Sequence, residues 1–277
     1  MPLMKFAICN ETFQDMPFEQ AFDLAREYGY TGIEMAPFTM ALDARDISAA
    51  RRTEVRNQAE AAGLDVIGLH WLLAKTTGYY LTTPDEAVRK KTSEYLAELA
   101  RLCRDLGGSI MVLGSPLQRN VLPGLTHDQA MEFAADTITR AMPVLEELDV
   151  TLALEPLGPA DGNFLNTAAQ GVKLAEMIGS SNCRLHLDCK AMSSEAKPIP
   201  DLLREFRREM VHFHANDPNL RGPGMGDLDF VPIFEALAEI DYRGWVSVEV
   251  FDYTLGSEKL AKDSIDYMLA TVDKVGA

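Results

Sequence analysis

A single-domain (β/α)₈ barrel covering residues 1–277 is the fold class this sequence predicts, and three observations carry the prediction. Short apolar runs alternate with helical periodicity eight times, with no linker or low-complexity segment between them. The turn after the first run, Cys9-Asn10-Glu11-Thr12, is not the glycine-rich phosphate turn that a doubly wound open sheet usually carries there. Four of the last runs end in a residue able to bind a divalent metal, at the end of the strand where barrels of this kind place their chemistry.

Taken in order, the strand candidates are Lys5–Asn10, Gly32–Pro37, Asp65–Leu72, Ser109–Gly114, Val150–Pro156, Arg184–Asp188, Val211–Asn216 and Trp245–Phe251. Each is a short apolar run, several are rich in Val and Ile, and Gly, Pro, Asp or Asn bound them. The helix candidates between and after them are Pro17–Tyr28, Ile47–Ala62, Pro84–Leu106, His127–Leu148, Thr167–Ile178, Pro198–Glu209, Phe230–Ile240 and Glu258–Val275. Start signals stand at Thr83-Pro84-Asp85-Glu86, Thr126-His127-Asp128 and Asp229-Phe230. Gly29, Gly63, Gly107 and Gly179 follow four helices where a left-handed cap is wanted.

Composition narrows the function. With 47% hydrophobic and 25% charged residues the chain reads as an ordinary soluble globular protein, and a net charge of −16 without a Lys/Arg cluster argues against a nucleic-acid partner. Four cysteines, Cys9, Cys103, Cys183 and Cys189, show no CxxC spacing; Cys9, Cys183 and Cys189 lie in predicted strands, where small-hydrophobe roles are expected, and a reducing cytoplasm is the default. The first residues, Met-Pro-Leu-Met-Lys-Phe, lack a basic region before an apolar run, and no stretch approaches the length of a membrane span.

The strand ends carry the chemistry. Glu155, Asp188, His214 and Glu249 close the fifth to eighth runs. Burying a carboxylate at the end of an apolar strand is costly without a partner. Consecutive strands would place these ends side by side around the barrel mouth, converging on one ion. Two Glu, one Asp and one His make a mostly oxygen donor set, suited to Mn²⁺, Mg²⁺ or Co²⁺, with Zn²⁺ open. Alternation puts His186 and His212 on the same inward face, either as groups that orient ligands or as hydrogen-bonded core histidines.

Strand and motif order resemble the xylose-isomerase-like barrel superfamily over essentially the whole chain, in particular its sugar epimerase/isomerase group. The motifs are Glu155-Pro156-Leu157 followed by Phe164-Leu165-Asn166-Thr167, then His186-Leu187-Asp188. His212-Phe213-His214 with Asn216-Asp217 and the loop Gly224–Phe230 comes next, and Gly244-Trp245-Val246-Ser247-Val248-Glu249 closes the series. Gly68-Leu69-His70 matches the third-strand His that faces substrate in this superfamily. The resemblance implies that Glu155, Asp188, His214 and Glu249 hold one divalent ion, Mn²⁺ first. It also implies that Glu155 and Glu249 form the acid/base pair that moves a proton on and off the sugar carbon. The chemistry is consistent: a proton α to a carbonyl is too weakly acidic for a carboxylate unless a cation stabilises the enediolate.

The sugar-recognition layer departs from the family pattern. Ala191 stands where the ketose 3-epimerases carry a His, Gly158-Pro159 replaces Asn-Arg, Asp161 is the nearest counterpart of a following Glu, and Arg221 is offset by one from the substrate Arg. His70-Trp71 offers a donor beside an apolar wall. Lys190, Arg119 and Arg221 would mark a sugar acid or sugar phosphate if they face inward together, and Glu34 could hydrogen-bond substrate hydroxyls. The expected activity is metal-dependent isomerisation or epimerisation of a keto-sugar or derivative. The alternative is a lyase on the same enolate, either an inosose/dehydroshikimate-type dehydratase or a 3-oxo sugar acid decarboxylase. A three-zinc nuclease on this barrel would need more than the five histidines present. Relatives imply dimers or tetramers, and Tyr79, Tyr80 and Leu81 are rim candidates for an interface or a lid.

Overall fold

The computed structural model describes residues 4–14 and 16–276. Eight parallel strands close into one barrel in chain order: β1 (Lys5–Cys9), β2 (Gly32–Met35), β3 (Asp65–Leu69), β4 (Ile110–Leu113), β5 (Thr151–Leu154), β6 (Cys183–Asp188), β7 (Met210–Ala215) and β8 (Trp245–Val248). Closure is made by β8 on β1, with Phe6 opposite Val246 and Ile8 opposite Val248. Outside lie α1 (Phe18–Tyr28), α2 (Ala49–Ala62), α3 (Glu86–Leu106), α4 (His127–Thr139), α5 (Met142–Glu147), α6 (Ala168–Ile178), α7 (Cys189–Met192), α8 (Ile199–Glu205), α9 (Val231–Glu239) and α10 (Ser257–Val275).

The predicted alternation holds, and the departures have local causes. The helix expected over His127–Leu148 is two helices, because Pro143 has no N–H to give and its ring would strike the carbonyl of Thr139. Helix α4 begins with a capping box in which the Thr126 hydroxyl and the Gln129 amide satisfy each other's backbone N–H. Gly29, Gly63, Gly107 and Gly179 all take the left-handed conformation that ends their helices. The third strand stops at Leu69 rather than Leu72, since Trp71 turns the chain with φ 53°.

Two features shape the barrel mouth. A Cβ on Gly68 would lie 2.0 Å from the Ile110 carbonyl oxygen, so β3 and β4 approach closely only with glycine there. Pairing slips between Ile33 and Glu34 in β2 and between Leu185 and His186 in β6, and the irregularities sit where polar side chains enter the barrel. Tyr79 and Leu81 are buried, with Tyr79 stacked on Tyr95 at 4.4 Å, while the Tyr80 hydroxyl donates to the Asn120 carbonyl. This segment packs against α3, so Tyr79 and Leu81 are not exposed rim residues, while Tyr80 is half-buried.

Candidate active site

The ends of β5 to β8 bring Glu155, Asp188 and His214 together. One donor atom from each, with a nitrogen of His186, lies within 4.8 Å of the others. Glu249, just past β8, joins them through His214: its Oε2 is 3.0 Å from His214 Nδ1. All four are at least 94% buried. Asp188 is fixed on both oxygens, Oδ1 accepting from the Ala191 N–H at 2.7 Å and Oδ2 from the Asn216 side chain at 2.5 Å. Room for Glu155 comes from Gly114 at the end of β4, where an added Cβ would lie 2.1 Å from its Oε2.

The donor set fits a divalent cation on its own electrostatics. Burial, then Glu249, then Asp188 push the Glu155 carboxyl well above the usual carboxylate range. Burial and Glu249 raise Asp188 to about 6. Buried carboxylates that raise one another lack a positive charge between them. His214 is oriented to serve such an ion. Its Nε2 lies 3.1 Å from Glu34 Oε2, the carboxylate–imidazole pairing that orients a metal-binding ring, and Nδ1, the nitrogen that would meet an ion, is turned to Glu249 Oε2.

Glu34 therefore has a different place from the one expected. It is fully buried beneath the site, where one oxygen meets His212 Nε2 at 2.9 Å as well as His214, and contact with substrate hydroxyls is corrected to support of the histidines. Burial opposes its ionisation, but His212 and His214 hold its carboxyl well below the usual range. His186 and His212 do share the inward face, with His186 packed 4.2 Å from the His214 ring. Burial and the neighbouring imidazoles push His186 well below its ordinary value, which leaves it neutral.

A cavity of about 450 Å³ opens above these residues. Glu155 and Glu249 both enter it, together with His70, Trp71, Asp161 and Lys190, and Leu157 and Phe251 supply apolar wall. Lys190 faces inward, its Nζ 2.7 Å from Asp161 Oδ2. The other two expected cations do not join it. Arg119 is buried under the mouth and donates to the carbonyls of Leu113 and Glu155, and burial lowers its guanidinium to about 10. Arg221 bonds Asp252 at 2.9 Å and is outside the cavity lining. The expected convergence of three cations is thus corrected to one, because two of the guanidinium groups are spent on the protein's own carbonyls and carboxylates.

Sequence reasoning missed Glu11. It follows β1, is 5% exposed, and places Oε2 2.8 Å from His70 Nε2, while His70 Nδ1 lies 3.2 Å from Glu249 Oε1. Burial works against the His70 cation, yet Glu11 and Glu249 raise its value well above the ordinary one. An acidic residue straight after an inward-facing strand was the available signal. Asn216, which holds Asp188, was visible only as part of a motif.

Comparison with known proteins places the fold in a family. Residues 22–271 match the family described as Xylose isomerase-like TIM barrel. The chain belongs to that family. It is 33% identical over 186 residues to the L-ribulose 3-epimerase of Mesorhizobium japonicum, a match covering 66% of this chain and 61% of that enzyme. To the probable ketose 3-epimerase of Synechocystis sp. it is 27% identical over 247 residues, 85% of this chain and 79% of the relative. Among solved structures, the D-psicose 3-epimerase of Clostridium cellulolyticum H10, determined with D-tagatose, superposes with a TM-score of 0.84 at 20% identity, covering 97% of this chain and 99% of that one. The fold is shared throughout. Among the described residues no helix is long and apolar enough to cross a membrane.

Proposed function

We propose that this protein is a divalent-metal-dependent epimerase or isomerase of a neutral keto-sugar, acting at the carbon next to the carbonyl. The observation that carries the reading is that Glu155 and Glu249 enter one cavity while the donors of Asp188 and His214 stand beside them. A divalent ion, Mn²⁺ first, with Mg²⁺, Co²⁺ or Zn²⁺ as the other candidates, would be held by Glu155, Asp188, His214 and Glu249. It would supply the charge that stabilises an enediolate oxygen. Glu155 and Glu249 then take a proton from that carbon and return it, and return to the opposite face inverts the centre. His70 and Trp71 border the sugar, and Trp71 with Phe251 gives it an apolar face to lie against.

A neutral substrate is supported by the charges that are spent. Lys190 is already paired with Asp161 and Arg221 with Asp252, and Arg119 is turned to backbone carbonyls outside the cavity lining, so among the described residues no guanidinium lines the cavity and Lys75, set over the Phe38 ring, is its one cation without a carboxylate partner. The relatives are named as 3-epimerases of L-ribulose and D-psicose, which makes C3 the first carbon to examine. One observation favours the lyase alternative: Ala191 offers the substrate no side-chain donor, and its N–H is taken by Asp188. Four buried free thiols suit a reducing cytoplasm.

The test is proton NMR in D₂O with the Mn²⁺-loaded protein and a panel of ketoses (L-ribulose, D-psicose and D-tagatose among them), keto-sugar acids and sugar phosphates. Deuterium at a carbon α to the carbonyl with the skeleton intact is the expected result. Loss of water or CO₂ would establish the lyase, and turnover confined to anionic sugars would overturn the neutral-substrate reading.

A further inference from the structure

The two glutamates of the cavity are held very differently. Glu249 Oε1 accepts the indole N–H of Trp71 at 2.8 Å and lies 3.2 Å from His70 Nδ1, while Oε2 is turned to His214. Glu155 has no side-chain hydrogen bond among the described residues, and the nearest ring nitrogen, His186 Nε2, is 3.9 Å away. Trp71 is placed at a backbone cost. Its φ of 53° is left-handed, a conformation that a bulky residue rarely adopts and that structures retain chiefly at functional positions. The ring is not core filling. It stands between the 450 Å³ cavity and a second chamber of about 630 Å³ that opens on the β1 side, and it lines both. Phe38 at 5.7 Å and Phe251 at 6.0 Å pack against it.

We propose that Trp71 is a positioning residue for Glu249: together with His70 on the same oxygen, its indole N–H tethers the outer carboxylate oxygen and so fixes the plane in which the other oxygen is turned to His214, leaving Glu155 as the untethered partner. The inference rests on the proposed function for its kinetic consequence, but the tether itself does not. A carboxylate free to rotate would swing its plane away from the inner ligands, and such rotamers are unproductive. The tether therefore acts on the rate of the chemical step and little on sugar binding. Trp71→Phe keeps an aromatic wall and removes the donor.

The chain has two tryptophans, Trp71 and Trp245, so a ¹⁵N spectrum of the whole protein shows two indole N–H signals. Trp71→Phe identifies one by its loss, or Trp245→Phe by leaving it. That signal is expected downfield of the Trp245 signal in the unmodified protein and displaced upfield in Glu249→Gln, where a neutral amide replaces the carboxylate. An indole signal at the same position in both proteins would overturn the tether whether or not any sugar is turned over. In kinetics with the ketose that the unmodified enzyme accepts, Trp71→Phe should lower kcat about 10- to 100-fold, the usual weight of a hydrogen bond to a charged group, with KM nearly unchanged. A raised KM with kcat intact would make Trp71 a wall of the sugar site only, and the positioning role would fall. If the unmodified protein turns over no ketose, the proposed function fails while the indole signals still decide the tether.

Discussion

The two halves of the barrel do different work. Strands β5 to β8 end in the groups that would meet metal and substrate proton: Glu155, Asp188, His214 and Glu249. Strands β1 to β4 end in groups that mainly hold those: Glu11 and His70 behind Glu249, Trp71 on its outer oxygen, Glu34 beneath His214, and Gly114 opening space for Glu155. A ligand-bearing half can be recognised from residue types at strand ends. A supporting half is recognised only by what it touches, and the comparison is best tested by breaking one member of each.

The largest effect is expected in the ligand half. On the proposed function, Glu155→Gln would remove a metal donor and a proton carrier while keeping shape, and kcat should fall about 10³-fold, within the range for loss of a general acid/base. Because Glu155 makes no side-chain hydrogen bond among the described residues, thermal stability of the variant should match or exceed that of the metal-free parent. Steady-state kinetics and a melting curve check both. In the supporting half, Glu34→Gln should weaken Mn²⁺ binding by about 10- to 100-fold, the usual cost of losing a carboxylate behind a metal-binding imidazole, and titration calorimetry reads it directly. Equal Mn²⁺ affinity in Glu34→Gln would remove the division between halves.

Metal binding should also depend on pH in a definite direction. Asp188 is raised to about 6, and Glu155 is raised further from its ordinary value. Both carboxyls are favoured protonated in the folded metal-free protein, so their stabilising contribution is complete at low pH and is lost as pH rises through these values. The ion needs them ionised. Saturating Mn²⁺ at 100 times its Kd adds about 2.7 kcal/mol, roughly 5–10 °C in Tm for a chain this size, at pH 8. The same comparison at pH 5 should show a markedly smaller shift.

How much of this was legible from the sequence follows the same division. The strand positions and the four ligand candidates could be read because a parallel barrel strand is buried on both faces, and an acidic or histidine end to an apolar run stands out. Glu34 and Arg119 were misplaced because residue type and strand position do not say whether a side chain points to the rim or into the interior. A register slip at Ile33–Glu34 accompanies the turn of Glu34 beneath the histidines, and such slips leave no mark in composition. Glu11 was passed over because its partner, His70, is 59 positions away in the sequence and meets it only once β1 and β3 share a barrel.

The smallest effects separate the two cations that looked equivalent in the sequence. Lys190 lines the cavity and its head is 2.7 Å from Asp161, whereas Arg221 spends its Nε on Asp252 outside it. A partly exposed pair of this kind is worth about 1 kcal/mol, so Lys190→Ala should raise KM roughly fivefold and leave kcat close to that of the parent. Arg221→Ala should change neither by more than about twofold, the scale of a surface substitution. Part of the Lys190 effect comes from Asp161, which would be left as an unpaired negative charge beside the sugar. The double variant Lys190→Ala/Asp161→Ala should therefore bind sugar better than Lys190→Ala alone, a coupling that contacting residues show and distant ones do not. If the double variant is instead worse, Asp161 contacts the sugar in its own right, and the cavity's selectivity lies with the carboxylate rather than with the ammonium.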